Sequence, residues 1–307
     1  MANILITGGA GFIGSNLAYR LVEQGENVIV IDNLSRGKIE NLPPEAKFYK
    51  LKVEDPSVSK IIKSQKIEYI FHLAAQAEVT KSMRDPVLDA ESNIIGTINL
   101  LQSAMDSGVK KFIFSSSGGV IYGNTPKPVT EKKNPSPCSP YGISKFTAEK
   151  YIEFYGKEYG LRHTILRYTN VYGPRQDPFG ESGVVAIFAE NMLHNTLCTL
   201  YGYGKMERDY IYVKDVVDVT TLVIDKGDGE VFNIGTEVST SVDKLFSLMK
   251  EITHYQLDPV YQPKRKGELD MNSLDCSKAK RLLDWKPKIS LKQGLEQTVN
   301  WFRPPKR

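Results

Sequence analysis

A chain of 307 residues, 41% hydrophobic and 25% charged, has the size and composition of one large α/β domain or two joined globular lobes. Its net charge of +4 comes from interspersed acids and bases, so the surface reads as solvated and the basic end Pro304–Arg307 as a frayed tail, not a nucleic-acid patch. Three scattered cysteines (Cys138, Cys198, Cys276) and four histidines without ligand spacing argue against a disulfide framework or a metal site, and no apolar run reaches the ~18–20 residues of a membrane span.

In chain order, Asn3–Gly8 is a short β-branched run ending in glycine. Phe12–Gly25 has apolar residues at helical spacing and stops at a glycine suited to a helix end. With a strand pattern opening the chain and no charged segment before an apolar one, the expected location is the cytosol. Asn27–Asp32, Lys47–Val53, Tyr69–Ala74, Lys111–Ser117 and His163–Thr169 read as further strands. "SVSKIIKSQ", "NIIGTINLLQSAMDSG" and "SKFTAEKYIEFYGKEYG" read as helices between them. This alternation predicts an α/β fold with a doubly wound, Rossmann-like parallel sheet. Runs such as "VIVI" suit strands covered on both faces.

After Arg167 the rhythm changes. A Pro/Gly-rich loop, "VYGPRQDPFGESG", leads to the helical "VVAIFAENMLHN", and the chain ends with two amphipathic helices, "SVDKLFSLMKEIT" and "SLKQGLEQTVNWF". The expected organisation is a nucleotide-binding domain over residues 1–170, rejoined by segments within about 209–236, and a smaller C-terminal lobe over 171–307 that binds substrate.

"TGGAGFIG" sets Gly8, Gly11 and Gly14 between a strand and a helix. Glycines there allow a tight turn, close approach of backbone N–H groups to a pyrophosphate, and close helix–strand packing, while the helix dipole adds positive potential. Asp32 ends the next strand, about 20 residues on, where an acid accepts from ribose hydroxyls and repels a 2′-phosphate. The cofactor expected is NAD; Arg36 is the feature that would speak for NADP. Tyr141 and Lys145 in "YGISK" fall one helical turn apart on the same face. A nearby ammonium favours the phenolate of a tyrosine, whose free pKa is ~10, and makes it a usable base. Alone the pair would read as an ordinary helix surface; after a dinucleotide fingerprint it reads as catalytic.

Together, the glycine turn, Asp32–Asn33, "HLAA", "SSS…YG", Tyr141-x-x-x-Lys145, "LRYTNVYGPRQ", "RDYIYVKDV" and "VFNIG" resemble the extended short-chain dehydrogenase/reductases along the whole chain. "DNLS", "GVVAIF" and "RKGE" look most like the UDP-glucose 4-epimerases and related nucleotide-sugar 4-epimerases. The resemblance implies hydride removal from C4 of a UDP-sugar, turning of the keto sugar and return of the hydride, on UDP-glucose/UDP-galactose and on N-acetylated sugars. It also implies a homodimer. The alternatives are a UDP-glucuronate 4-epimerase, a net dehydrogenase or reductase of the same superfamily, and, from another class, a non-catalytic NAD sensor.

Carried over residue by residue, the resemblance assigns Tyr141 as acid/base, with Lys145 lowering its pKa and holding the nicotinamide ribose. A Ser or Thr should bridge to the 4-hydroxyl, but counting back from Tyr122–Gly123 its position falls on Gly118. Ser117 is then the expected hydroxyl, with Ser116 behind it. Dehydratases and decarboxylases of this fold carry an acid just after, where this chain has Gly119 and Val120, which favours epimerisation. The implied cofactor contacts are Gly8, Gly11, Phe12, Ile13, Gly14, Asp32, Asn33, Ser35, Val53, Leu73, Ala74, Ala75, Asn93, Ser115, Ser116, Tyr141, Lys145 and Tyr168. Lys52 stands in place of an acid that binds adenine, and Ala77 in place of a lysine that touches the pyrophosphate. The implied substrate contacts are Ser117, Tyr141, Asn170, Val184, Arg208, Tyr210, Arg265 and Asn272. The last lies five positions after Gly267 and is expected to leave room beside the sugar's 2-substituent.

Overall fold

The structure, a computed structural model, describes residues 1–179, 183–265 and 268–303; the Pro304–Arg307 tail and the reference point Gly267 lie outside them. Its strands in chain order are β1 (Asn3–Thr7), β2 (Asn27–Asp32), β3 (Lys47–Lys50), β4 (Tyr69–His72), β5 (Lys111–Ser117), β6 (His163–Tyr168), β7 (Asn170–Tyr172), β8 (Thr199–Tyr201), β9 (Glu207–Tyr212), β10 (Glu230–Ile234), β11 (Ser239–Ser241), β12 (Val260–Gln262) and β13 (Met271–Asn272). Seven of them form a parallel sheet in the order β10-β6-β5-β4-β1-β2-β3. The chain reverses its direction of winding between β1 and β4, which opens a crevice at the carboxyl ends of these strands.

The "NVIVID" strand shows why this sequence makes a central strand. Its β-branched side chains fit an extended backbone, and successive ones point to opposite faces. Val28 and Val30 enter the core shared with the helices Phe12–Glu23 and Val213–Leu222, whereas Ile29 and Ile31 enter the one shared with Val58–Ser64 and Gly96–Ser107. Two strands are shorter than their sequence patterns: β3 stops at Lys50 and β4 at His72. Beyond these ends Leu51–Glu54 and Leu73–Glu78 leave the sheet and line the crevice, so the apolar pattern there reflects a groove wall.

The second lobe is built on β9, flanked by β11 and β13, with β7 also paired to it. The helices Val184–Leu193, Val242–Thr253 and Leu291–Phe302 enclose a separate core around Tyr172, Phe188, Phe246 and Leu295. In the 209–236 region the helix Val213–Leu222 packs on Phe12–Glu23 and β10 joins the main sheet beside β6, while β9 stays in the second sheet.

A buried ion pair fastens the helix Pro140–Tyr159 to this sheet. Glu149 is fully buried and receives the Arg167 guanidinium from β6, with Nε 2.9 Å from Oε1. Ser116 donates to the same carboxylate, and Arg167 reaches onward to the hydroxyl of Tyr122, which donates to Asn233 on β10. Removing one partner of such a pair leaves the other charged and unpaired. Arg167→Leu should therefore lower the unfolding free energy by about 3–5 kcal/mol, read from urea denaturation; a loss within experimental error would mean that Glu149 finds another partner.

Candidate active site

The crevice at β1 and β4 is shaped by its glycines. Gly8 has φ +69°, and a Cβ on it would stand 2.7 Å from the Ala74 backbone nitrogen. A Cβ on Gly14 would stand 2.2 Å from the Gly8 carbonyl. Only bare backbone fits, and it brings the first turn of the helix Phe12–Glu23, with Phe12, Ile13 and Gly14, to the head of the crevice. The N–H groups of that turn lack intrahelical acceptors. Asp32 closes the far side. Its carboxylate accepts from the N–H groups of Ala10 (3.1 Å) and Leu34 (2.8 Å), and burial raises its pKa against these bonds. Asn33, Ser35, Val53, Leu73, Ala74 and Ala75 line the same groove. Lys52 pairs with Glu54 at 3.6 Å, and the Val53 carbonyl is taken by Asn99. Arg36 is held by Glu78 (3.2 Å), the Phe179 carbonyl (3.0 Å) and, more distantly, Asp177 (3.9 Å). With its guanidinium so engaged and Asp32 beside it, the groove fits a ribose diol and not a 2′-phosphate. The cradle, the helix N-terminus and the acid together fit NAD.

At the carboxyl end of β5 the three serines have three different partners. Strand alternation sends Ser115 and Ser117 to one face and Ser116 to the other. Ser115 bonds Tyr168, whose hydroxyl also lies 2.8 Å from Thr220. Ser116 is buried on Glu149. Ser117 lies beside Tyr141 and lowers its pKa. A Cβ on Gly118 would lie 2.4 Å from Leu274 Cδ1, so the position that counting assigns to the hydroxyl is packed against the second lobe. Gly119 is open: a Cβ there would meet Ser117 Oγ at 3.5 Å and Asn170 Oδ1 at 3.9 Å.

Tyr141 and Lys145 both lie in the helix Pro140–Tyr159, whose start is set by the Ser139 cap accepting from the Gly142 N–H and by Pro140 in the first turn. Burial pushes Tyr141 up to about 12, with the Ser117 bond opposing the rise and the Asp89 charge adding to it. Burial pushes Lys145 down to about 7, with Glu149 and then Asp89 holding it up. The Lys145 ammonium stands 4.2 Å from the centroid of the Phe114 ring. Asn93 lies in a single π-helical turn, Glu91–Ile95. Its amide donates to the Gln76 carbonyl (3.0 Å) and Ser144 Oγ (3.0 Å), and its carbonyl accepts from the Gln76 N–H (2.8 Å). It therefore ties the groove loop after β4 to the helix of Tyr141 and Lys145.

On the substrate side, Arg208 is held by the carbonyls of Glu207 and Leu269, both at 2.8 Å, and among the described residues it makes no ion pair. Burial lowers its pKa; Tyr210, Glu268 and Asp270 work the other way. Arg265 pairs with Glu268 and stacks on the Tyr201 ring at 4.4 Å, and the same Glu268 charge also acts on Arg208. Tyr210 is buried with its hydroxyl unpartnered among the described residues. Val184 opens the helix Val184–Leu193. Asn272 has no exposed surface. Its amide donates to the carbonyls of Gly118 (3.1 Å) and Gly119 (3.2 Å), so it supports the turn after Ser117 from beneath and presents no open wall.

Sequence reading did not single out Asp89, Glu149 or Arg167, which surround the Tyr–Lys pair. Glu149 sits one further turn along from Lys145, a spacing that could have marked it; Asp89 carries no local signal.

Over residues 4–235 the chain matches the NAD dependent epimerase/dehydratase family. It is 41% identical over 301 residues to a putative UDP-glucose 4-epimerase of Methanocaldococcus jannaschii, covering 98% of each chain. Among solved structures it is similar to the UDP-glucose 4-epimerase of Thermotoga maritima with UDP-glucose, with 54% identity, 98% of each chain covered and a TM-score of 0.96. It is also similar to the Thermus thermophilus UDP-glucose 4-epimerase in complex with NAD, with 39% identity, 98% of each chain covered and a TM-score of 0.94. The groove's fit to NAD and the match along most of the chain lead to one conclusion: this protein belongs to the NAD dependent epimerase/dehydratase family, and NAD is its cofactor.

Proposed function

We propose that this protein is an isomerase that inverts C4 of a UDP-sugar, interconverting UDP-glucose and UDP-galactose. The observation that carries the reading is the placing of Ser117 beside Tyr141 at the sheet edge, followed by Gly118, Gly119 and Val120. Eliminating water or carbon dioxide calls for a further proton-transfer group at these positions, and they hold none. C4 inversion needs only one base, and the names of the relatives agree with it. Arg208, half-buried without a carboxylate partner among the described residues, supplies charge-assisted donors for a diphosphate, and Arg265 beside Glu268 is the second.

NAD, held by the turn around Gly8 and Gly14 and by Asp32, would supply hydride acceptance at C4 and hydride return to the opposite face of the sugar. Ser117 bonds the 4-hydroxyl, and its proton passes to Tyr141 as the C4–O bond becomes a carbonyl; the proton returns in the reverse sense. A protonated Lys145, one helical turn away, would offset the negative charge of the phenolate. Burial makes Tyr141 hard to ionise and, once ionised, a strong base. Gly119 leaves space beside Ser117 and Asn170 for the sugar to turn while the diphosphate stays anchored. UDP-N-acetylglucosamine is proposed as a further substrate, a reading that agrees with the name of a solved relative of 34% identity, a UDP-N-acetylglucosamine 4-epimerase.

The protein is also proposed to be a homodimer. The helix Pro140–Tyr159 leaves Ile143, Tyr151, Phe154 and Tyr159 exposed, and Val87 and Ile95 are exposed on the neighbouring segment. An apolar face of this kind marks an interaction surface.

Purified protein should interconvert UDP-glucose and UDP-galactose without added NAD, and a panel that includes UDP-N-acetylglucosamine and UDP-glucuronate identifies the sugar. No turnover of any member would refute the enzyme reading. Tyr141→Phe should lower kcat by a factor on the order of 10²–10⁴ while retaining NAD. Ser117→Ala should also be slow and Ser115→Ala near wild type; a slow Ser116→Ala with normal Ser117→Ala would move the role. Phe154→Glu should sediment as a monomer where wild type is a dimer, and equal sedimentation would place the interface elsewhere.

A further inference from the structure

Asp89 differs from every other buried carboxylate among the described residues. Asp32, Asp209 and Asp215 each accept two or more backbone N–H groups, and Glu149 is neutralised by Arg167. Asp89, in the short helix Pro86–Ala90, is 1% exposed. Its Oδ1 accepts from Gln76 Nε2 (3.0 Å) and Asn93 Nδ2 (3.2 Å). Its Oδ2 is buried with no hydrogen bond of good geometry among the described residues, although the Ser144 hydroxyl beside Asp89 lowers its pKa, and it makes no ion pair there. A bare buried carboxylate oxygen is costly, so its retention asks for a compensating charge nearby.

That charge is Lys145. Its neighbours come from several elements. Phe114 on β5 lies under the ammonium. His72 on β4 is fully buried between Thr7 and Thr97, and burial, followed by the Lys145 charge, keeps it neutral. Tyr141 and Glu149 share the helix of Lys145, and Glu149 is already spent on Arg167. Glu149 is the larger negative influence on Lys145 but is shared with Arg167; Asp89, the second, has no cation paired to it among the described residues and acts on both Lys145 and Tyr141. A relay of hydrogen bonds also ties it to their helix: it holds Asn93, Asn93 holds Ser144, and Ser144 Oγ donates to the Tyr141 carbonyl at 3.1 Å.

We propose that Asp89 is a positioning residue for the catalytic pair: through Asn93 and Ser144 its buried carboxylate fixes the helical turn that carries Tyr141 and Lys145, and it adds a negative charge to their surroundings. The proposal rests on reading Tyr141 and Lys145 as that pair.

The test compares wild type with Asp89→Asn and Asp89→Ser, which remove the charge, and with Asp89→Glu, which keeps it. One readout is kcat against pH. The other is the titration of Lys145, followed by NMR of lysine labelled with carbon-13 at Cε, which needs no turnover. In the neutral variants Lys145 should lose its proton at lower pH than in wild type, and the pH profile of kcat should move down with it. Asp89→Glu should titrate as wild type does. A folded neutral variant whose Lys145 titration and kcat profile keep their wild-type positions overturns the proposal. A shift shared by Asp89→Glu also overturns it, since packing and not charge would be the cause. Failure of both neutral variants to fold makes Asp89 structural and overturns it too. A shifted Lys145 in a protein that turns over no nucleotide sugar would uphold the counter-charge and refute the epimerase reading separately.

Discussion

The contact between Glu149 and Arg167 fixes where the chemistry can occur. An ion pair removed from water is costly unless its geometry is good and its remaining lone pairs are satisfied. Here both conditions hold, since Ser116 and Tyr122 complete the pair. The consequence is positional. The pair lies between β6 and the helix Pro140–Tyr159, and so sets the height and rotation of that helix over the sheet. Tyr141 then meets Ser117, and Lys145 comes to rest over Phe114. Asn233 on β10 completes the chain of bonds, so the edge strand supplied by a distant part of the sequence helps to hold the same helix.

The three serines illustrate how a local repeat is divided by a two-residue period. Identical side chains on one strand acquire different roles because alternate positions face different neighbours. Ser116 faces the ion pair and stiffens it, whereas Ser115 and Ser117 face the other way, toward Tyr168 and Tyr141. The double glycine that follows has a steric origin at its first position, where Leu274 leaves no room for a Cβ.

Much of this was legible in the sequence wherever the backbone or a short spacing dictates it. Gly8 and Gly14 declare themselves because no other residue fits, and Tyr141–Lys145 because helical periodicity puts them on one face. The parallel sheet followed from runs such as "VIVI", whose alternate residues serve two cores. Strand ends were less legible: an apolar groove wall at Leu73–Ala75 has the same composition as a strand. Contacts between lobes were not legible at all. Asn272 reads as a pocket residue by position, yet its amide is spent on the Gly118 and Gly119 carbonyls, a matter of side-chain direction across a distance of more than a hundred residues. Arg167 and Asp89 keep their partners within the first lobe, but packing brings Glu149 and Gln76 to them.

The place of β10 in the main sheet bears on how the molecule is made. It pairs with β6, although the whole of β7, β8 and β9 lies between them in the chain. Until Glu230–Ile234 has been synthesised, β6 is an edge strand with an unpaired row of backbone donors and acceptors, and Tyr122 lacks its Asn233 partner. An N-terminal half emerging from the ribosome therefore cannot close its own sheet. Long-range strand pairing of this kind slows folding and lengthens the time for which an edge is open to aggregation. Division of the polypeptide between the two lobes would leave the first with its catalytic helix in place in sequence but with one side of its scaffold missing.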